Sequence, residues 1–595
     1  FFAMRGILGQ YVIVIPEKNT IIVRLGERNN EKDNNRPKDF DVYFKESLKM
    51  LENSNWQMKN NNLLSLEKLT VKIDSNIILS EISFQLNKNE ILGIVGESGS
   101  GKSITALSIL NLLNNSSFQS EGSIVFEGTE LSNLSKKKIE TIRGKDISII
   151  FQEPMSSLNP SMKCGHQILE IVTNHNKSNK ESDVKKVLDL IEKVQLKNPK
   201  VVYEKYPHQL SGGQQQRIMI AIAIACNPKL LIADEPTTSL DGLVKNEIIS
   251  LIKSLQLEYK MSVIFISHDL NLVSKFVDNL IILKNGFIIE QGSASKIFKS
   301  PRESYTYDLI HSTPPKKNRP YRLLTKKIRE IKFLTKKERK LFHSKIYGQP
   351  PILRVEELHF SYGLNKIINN ISFNVFSGEV LGIVGESGSG KSTIAKCILG
   401  LVKLKKGAVF FENKNIKYIK STVFRKNVQL IFQDPYSSLN SEICIGDSIV
   451  EPMIVHSIFK TKKEMKLKAL SLLKQVGLKE KDFNKFPNEF SGGQRQRIVI
   501  ARALALNPRI IVCDESVSAL DVSIQAEILN LLNDLKEQFG FTYVFISHDM
   551  SVIRYFTDRV IVLEKGKIVE LNETDSLFNS PKNKYTKALL KASDF

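Results

Sequence analysis

Cysteine is scarce in this chain: 595 residues hold five, at positions 164, 226, 397, 444 and 513, and no two form a C-x-x-C pair. Such spacing offers neither a disulfide framework nor a zinc knuckle, and it fits a reducing cytosol. Long apolar runs are missing too. Stretches such as Leu280 to Leu283 fall far short of the roughly eighteen residues that carry a helix across a bilayer, so any action on a membrane has to pass through partners. Acidic residues are outnumbered, 63 against 85 basic ones, which leaves a net charge of +22. That excess is compatible with a nucleic-acid partner, with a membrane surface, or with lysine spread over solvated faces. A charged fraction of 25% and an apolar fraction of 42% are ordinary for a folded protein. The length exceeds what one core organises, and three or four domains are expected.

What the chain does contain is one eleven-residue stretch, twice. Gly93 to Ser103 and Gly382 to Ser392 both read GIVGESGSGKS, 289 positions apart, each behind an apolar run and ahead of a helix-like segment. Both fit G-x-x-x-x-G-K-[ST] between strand and helix, the context in which a loop cradles phosphates. The residues placed on such an anion are Gly96, Glu97, Ser98, Gly99, Ser100, Gly101, Lys102, Ser103 and Ile104 in the first copy. In the second they are Gly385, Glu386, Ser387, Gly388, Ser389, Gly390, Lys391, Ser392 and Thr393. Glycines let the backbone N–H groups approach a polyphosphate, the following helix turns its positive end to it, and the lysine reaches the β- and γ-phosphates. The Ser103 and Ser392 hydroxyls are offered to Mg²⁺.

The repeat extends well beyond the loop. Strands expected at Leu63 to Ile73 and Leu353 to Tyr362 precede the two copies. Downstream, Phe151-Gln152-Glu153-Pro154 answers Phe432-Gln433-Asp434-Pro435, and Leu210-Ser211-Gly212-Gly213-Gln214 answers Phe490-Ser491-Gly492-Gly493-Gln494. Apolar runs ending in Asp234-Glu235 and Asp514-Glu515, then Ser239-Leu240-Asp241 with Ala519-Leu520-Asp521, and Phe265-Ile266-Ser267-His268 with Phe545-Ile546-Ser547-His548, complete the series. Six elements recurring in one order are a duplicated domain, since a solenoid unit is only 20 to 50 residues long.

Residues 1–57 stand outside this pattern. Gly9 to Pro16 and Thr20 to Gly26 read as two β-branched strands about a Pro-Glu-Lys-Asn turn. They resemble the closing strands of serine hydrolases related to β-lactamases and penicillin-binding proteins. The S-x-x-K nucleophile of those enzymes is absent, and no activity is carried over. This segment is expected to be extraneous, a tail joined to a protein that starts at Met58.

The duplicated part, roughly residues 63–590, resembles two nucleotide-binding domains of the ATP-binding cassette (ABC) superfamily. The loop, the glutamine, SGGQ, the acidic strand and the histidine carry that resemblance together. FQEPMSSLNP at 151–160, FQDPYSSLN at 432–440 and ALDVSIQA at 519–526 resemble the peptide and nickel importer branch, as do the tails Ser300-Pro301 with Tyr305-Thr306 and Ser580-Pro581 with Tyr585-Thr586. The resemblance implies an α/β fold of two tandem P-loop NTPase domains, each with an antiparallel β subdomain and a helical subdomain. The expected boundaries are 58–313 for the first domain, 314–351 for a linker and 352–595 for the second. Helical subdomains are expected at 161–209 and 441–489, where a permease helix docks. Some relatives hold an iron–sulfur cluster on tail cysteines; none lie between 300 and 345 here, so neither that cluster nor zinc is expected.

The implied chemistry is ATP hydrolysis with Mg²⁺. Asp234 and Asp514 hold the metal shell beside Ser103 and Ser392, and Glu235 and Glu515 accept a proton from the attacking water. Gln152 and Gln433 contact metal and water, and His268 and His548 brace the γ-phosphate and the glutamate. Ser491, Gly492, Gly493 and Gln494 are expected to complete the pocket of Lys102; Ser211, Gly212, Gly213 and Gln214 that of Lys391. Tyr362 is expected to stack on adenine, and the matching Ile73 implies weaker nucleotide binding at the Lys102 pocket. Both pockets are expected to hydrolyse ATP.

Between residues 316 and 340 the linker carries twelve basic residues and two glutamates. It reads as a solvated, partly helical connection or as a contact with acidic lipid headgroups. The implied function is that of an ATPase subunit at the cytoplasmic face of a bacterial inner membrane, importing short peptides. Its expected partners are two transmembrane permeases fed by an extracytoplasmic solute-binding protein, and no nucleic acid. A ribosome-associated ABC translation factor is the alternative; a DNA-repair cassette ATPase fits less well for want of zinc-binding cysteines.

Overall fold

A computed structural model describes residues 61–593 except 114–116, 176–179, 239, 316–318, 326–327, 329 and 519, together with the backbone of short strands between residues 2 and 37. Contacts divide the chain into two units, Phe1–Leu64 and Ser65–Phe595. In the first, Tyr11–Ile15 pairs antiparallel with Phe2–Arg5 on one side and with Thr20–Arg24 on the other. Two of these strands fall where β-branched residues crowd the sequence. The Pro-Glu-Lys-Asn turn and Met58 lie outside the described residues.

The second unit contains the duplication. Strands β1 (Asn62–Ile73), β2 (Asn76–Asn87), β3 (Ile91–Gly96) and helix α1 (Lys102–Ile109) come first. They are followed by β4 (Phe118–Phe126), β5 (Ile147–Ile150), α2 (Cys164–His175), α3 (Lys180–Lys193) and α4 (Gly212–Ile224). Next are β6 (Leu230–Asp234), α5 (Gly242–Tyr259), β7 (Ser262–Ile266), β8 (Asn279–Lys284), β9 (Phe287–Ser293) and α6 (Ser304–His311). A connecting helix, α7 (Lys336–Tyr347), leads to the second pass: β10 (Leu353–Tyr362), β11 (Asn365–Val375), β12 (Val380–Val384), α8 (Lys391–Ile398) and β13 (Lys406–Phe411). Then come β14 (Val428–Ile431), α9 (Ile445–Val455), α10 (Lys462–Gln475), α11 (Gly492–Leu504), β15 (Ile510–Asp514), α12 (Val522–Phe539), β16 (Thr542–Ile546), β17 (Arg559–Glu564), β18 (Lys567–Glu573) and α13 (Lys584–Ala592).

Each pass builds a six-stranded sheet in the order β5-β6-β7-β3-β8-β9, or β14-β15-β16-β12-β17-β18, parallel except for its last strand. The central strands are largely apolar because both faces are covered, by helices on one side and, in the second domain, by α8 and the smaller sheet on the other: all six residues of Ile91–Gly96 and all five of Leu230–Asp234, the terminal aspartate included, are buried. Each loop that leaves the carboxyl end of β3 or β12 therefore emerges beside the ends of β6 and β7, or β15 and β16, and the binding crevice of an open parallel sheet forms there. A smaller sheet of β4, β1 and β2, or β13, β10 and β11, flanks each domain, antiparallel where β10 meets β11 and β13.

Helices α2 and α3, and α9 and α10, fill the stretches expected to be helical. Their apolar stripes, such as Ile168, Val172, Val187 and Ile191, join the same core as the strands.

The linker is not merely solvated. The Leu323 N–H donates to Asn530 and its carbonyl accepts from the Asn530 amide, both at 2.9 Å, while Arg322 reaches Asp534 and Glu537 at 2.8 Å. On α7, the buried Arg339 pairs with Glu573 at 2.9 Å and with Asp575. Arg319 donates to the Thr557 carbonyl at 2.6 Å. Burial alone would raise the Asp558 carboxyl, yet Lys536, His343 and Arg319 hold it well below the usual carboxylate range. Several of the linker cations are thus the counterions of the second domain.

Candidate active sites

Each glycine loop turns into its helix through a residue that only glycine suits. Gly101 and Gly390, at φ 103° and 105°, cap α1 and α8 in the left-handed region. A Cβ on Gly96 or Gly385 would stand 2.3 Å from the Leu283 or Leu563 carbonyl, so the loop can follow its strand only without a side chain there. Lys102 is buried and donates to the carbonyls of Gly96 and Glu97 at 2.9 and 3.0 Å; Lys391 donates likewise to Gly385 and Glu386 at 2.8 and 3.0 Å. The buried hydroxyls of Ser100 and Ser389 have no hydrogen-bond partner among the described residues. Gly99 and Gly388 face open space, where a Cβ would meet nothing within 4 Å. Ile104 and Thr393 follow on α1 and α8, half-buried.

At the neighbouring strand ends, the Ser392 hydroxyl donates to Asp514 at 3.1 Å. Burial pushes the Asp514 and Asp234 carboxyls up; Ser392 and Ser103 pull them back, and the adjacent glutamates push further. One Asp234 oxygen, Oδ1, is buried without a partner among the described residues. A hydroxyl beside a carboxylate whose charge is disfavoured by burial is a donor set that suits a hard cation such as Mg²⁺. The loops above, with a lysine, open glycines and unsatisfied hydroxyls, suit a polyphosphate.

Glu235 and Glu515 both sit at φ 47°, in a region that non-glycine residues seldom occupy, and their N–H groups donate at 3.0 Å to the Ile266 and Ile546 carbonyls. The kink places each carboxylate where two other elements meet. On Glu235 Oε2 converge the Gln152 amide at 3.1 Å, His268 Nδ1 at 3.0 Å and the Thr238 hydroxyl at 2.9 Å. On Glu515 Oε2 converge the Gln433 amide at 3.0 Å and His548 Nδ1 at 3.3 Å. Burial raises both carboxyls, but the histidines and lysines outweigh it and hold them below the usual range. Both therefore stay ionised, as a proton acceptor must.

The SGGQ segments open two helices. Ser211 and Ser491 cap α4 and α11, each accepting from the amide of Gln214 or Gln494 at 3.4 Å while that glutamine side chain accepts the serine N–H in return. Among the described residues, neither serine hydrogen-bonds the opposite loop. The second glycine also has a packing reason: a Cβ on Gly213 or Gly493 would meet Val244 or Ile524 at 2.7 or 2.3 Å. Gly212 and Gly492 open the same helices.

Other residues make the contact across domains. Asp521 accepts from the Ser98 N–H and hydroxyl at 2.7 and 2.9 Å, and Asp241 from the Ser387 N–H and hydroxyl at 2.9 and 3.0 Å. Ser523 donates to Glu97. Sequence reasoning found Asp241 and Asp521 as repeated elements but gave them no role; their recurrence just past the acidic strands was the available signal. A cavity of about 730 Å³ lies between the domains, bordered by His268 and His548. Tyr362 is half exposed and lies edge-to-face with Phe360, ring centroids 4.8 Å apart, whereas Ile73 ends β1 half-buried.

Known proteins resemble this chain along most of its length. The family model described as ABC transporter matches residues 79–238 and again 368–518. The one described as the oligopeptide/dipeptide transporter C-terminal region matches 289–342 and 569–593. Glutathione import ATP-binding proteins GsiA from Shigella boydii and Escherichia coli are each 40% identical over 558 residues, covering 89% of this chain and 89% of each relative. The solved structure of cbiO1 from Clostridium perfringens, part of the ABC transporter complex cbiONQ, is 28% identical, covers 39% of this chain and 92% of that one, and has a TM-score of 0.37.

Proposed function

Because this chain belongs to the ABC transporter family, as an ATP-binding protein with two fused nucleotide-binding domains of the peptide import branch, we propose that its two loop pockets hydrolyse MgATP jointly and that hydrolysis drives uptake of short peptides. The relatives are named for glutathione import, and glutathione is itself a short peptide, so it is the first cargo to test. Two permeases would carry the cargo and a solute-binding protein would deliver it, with this chain at the cytoplasmic face. No described helix is long and apolar enough to cross a membrane, which agrees with a peripheral ATPase. The C-terminal region matched behind each domain favours the importer over a ribosome-associated factor.

One observation supports the reading most: in both domains a glutamine, a histidine and the end of an acidic strand meet on a single glutamate oxygen beside a glycine loop. Lys102 and Lys391 would leave the loop carbonyls for the β- and γ-phosphates. Asp234 with Ser103, and Asp514 with Ser392, would hold Mg²⁺, and Gln152 and Gln433 would complete its shell. Mg²⁺, when bound, neutralises phosphate charge as it develops. Glu235 and Glu515 would take the proton of the attacking water, and His268 and His548 fix the carboxylates that do so. Ser211, Gly213, Ser491 and Gly493 would close on the opposite phosphates from helix N-termini. Asp241 and Asp521 tie each half to the other's loop, so a change at one pocket is felt across the interface.

The test is cargo uptake. Cells lacking their own glutathione import, supplied with this chain and its neighbouring permeases, are expected to accumulate labelled glutathione or a dipeptide, and to lose that ability with Glu235→Gln and Glu515→Gln together. Co-purification with ribosomes and no uptake of any short peptide would overturn the reading.

A further inference from the structure

The segment after each domain has so far had no task. It is anchored by a carboxylate: Glu290 accepts the N–H groups of Arg302 and Glu303 at 3.1 and 3.2 Å, and Glu570 those of Lys582 and Asn583 at 3.0 Å. These bonds fix the entry of α6 and α13, whose first turns carry Tyr305-Thr306 and Tyr585-Thr586. The threonines are fully buried. Each tyrosine then points at a glycine loop. The Glu386 N–H donates to the Tyr585 hydroxyl at 3.1 Å. Asp241 of the first domain accepts from the very next residue, Ser387. Consecutive amides of one loop are thus held by a tail residue and by a residue of the opposite domain.

The first domain places Tyr305 at the matching position without the hydrogen bond. Tyr305 is buried, its hydroxyl has no hydrogen-bond partner among the described residues, and Lys284 lies over its ring 4.2 Å from the centroid. The groups that act on that hydroxyl, besides burial, are the carboxylate and the backbone N–H of Glu97 and the carboxylate of Asp521 from the opposite domain. They correspond to Glu386 and Asp241 around Tyr585.

We propose that Tyr585 is a positioning residue for the second phosphate loop, and that the oligopeptide-type tail behind that domain is therefore part of its ATP pocket. The tyrosine does not touch the phosphates. It takes the Glu386 amide out of play, as Asp241 takes that of Ser387, and sets the backbone so that the amides from Gly388 onward face the ligand. The tail also reaches across the interface: the Asn246 side chain of α5 donates to the Ala592 carbonyl at the end of α13, and a Cβ on Gly242 would stand 3.6 Å from the Ser593 hydroxyl. Helix α13 thereby spans from the second domain's loop to the helix that follows Asp241.

This inference rests on the loops being the ATP sites, and the experiment separates the two. Full-length protein carrying Lys102→Ala reports the Lys391 pocket alone. Adding Tyr585→Phe keeps the ring and removes the hydroxyl. Expected are an MgATP dissociation constant roughly two- to tenfold higher, the worth of one hydrogen bond, faster amide exchange confined to residues 382–391 of the nucleotide-free protein, and an unchanged melting temperature. Wild-type affinity with wild-type exchange would overturn the proposal, and so would a lowered melting temperature with unchanged exchange at the loop, since the ring would then act through packing alone. If the Tyr585 variant does not fold, amide exchange of the unaltered nucleotide-free protein decides: a protected Glu386 amide is expected, and one that exchanges as fast as a solvent-exposed amide would overturn the proposal. Retained MgATP binding in the Lys102→Ala, Lys391→Ala double variant would instead sink the ATP-site reading itself.

Discussion

Asp241 accepts two hydrogen bonds from Ser387, 146 residues away in sequence and in the other domain, and Asp521 does the same for Ser98. Neither domain therefore presents its loop alone. An aspartate just past one acidic strand restrains the loop that serves the other, and the relation is reciprocal. With Glu235→Gln silencing the first pocket, Asp241→Ala is expected to lower remaining turnover about three- to tenfold, the discounted worth of charge-assisted bonds at a partly exposed site. Steady-state ATPase assays check this, and the mirror experiment with Glu515→Gln and Asp521→Ala should agree.

Replacing both Glu235 and Glu515 with glutamine preserves shape and removes the proposed proton acceptors. Turnover is expected to fall at least about a hundredfold while MgATP binding persists. Equilibrium binding alongside single-turnover hydrolysis separates the two effects.

The pH profile follows from what holds Glu515 down. Burial would raise its carboxyl; His548 and Lys391 outweigh that, so it stays ionised below the ordinary value of 4.5. A group whose folded pKa is depressed keeps its charge as pH falls until that lowered value is reached. His548→Ala removes one of the opposing groups, so protonation sets in earlier and the acid limb of kcat/KM moves to higher pH. Rate measurements from about pH 4 to 8, around the ordinary carboxylate range, would reveal the displacement; a smaller amplitude with an unmoved limb would contradict it.

At the positions proposed to meet the base, the pockets differ. Tyr362 offers a ring where Ile73 offers a half-buried aliphatic chain. Ile73→Tyr in the Lys391→Ala background is expected to tighten MgATP binding by about 1 kcal/mol, the low end for stacking, because Tyr362 itself is half exposed. Calorimetric titration against the unaltered Ile73 protein is the measurement.

The linker predicts a stability effect. Arg339 is 7% exposed and faces Glu573 and Asp575, whose side chains are about a third exposed. Arg339→Ala strands two carboxylates and is expected to destabilise the second domain by about 2–3 kcal/mol, less than for a fully buried pair. The exposed neighbour Lys336→Ala should stay within about 0.5 kcal/mol. Urea unfolding of both variants provides the comparison.

Periodicity made the sheets and the helical subdomains legible, because a strand covered on both faces must be apolar throughout and a packed helix must carry a stripe. It did not reveal the linker's partners. Arg322 and Arg339 look like solvated charges until Asp534, Glu537, Glu573 and Asp575 are brought beside them, more than 190 residues downstream.

The residue types of both pockets were written in the sequence by itself: a loop needs glycines where the backbone must turn, a lysine and hydroxyls where anion and cation meet, and an acidic pair at a strand end. Only the tertiary structure decided which side chain meets which. Asp241 on Ser387, Tyr585 on the Glu386 amide and three groups on one glutamate oxygen depend on distances between elements far apart in the chain, and those distances are set by how two packed cores settle against each other rather than by any local pattern.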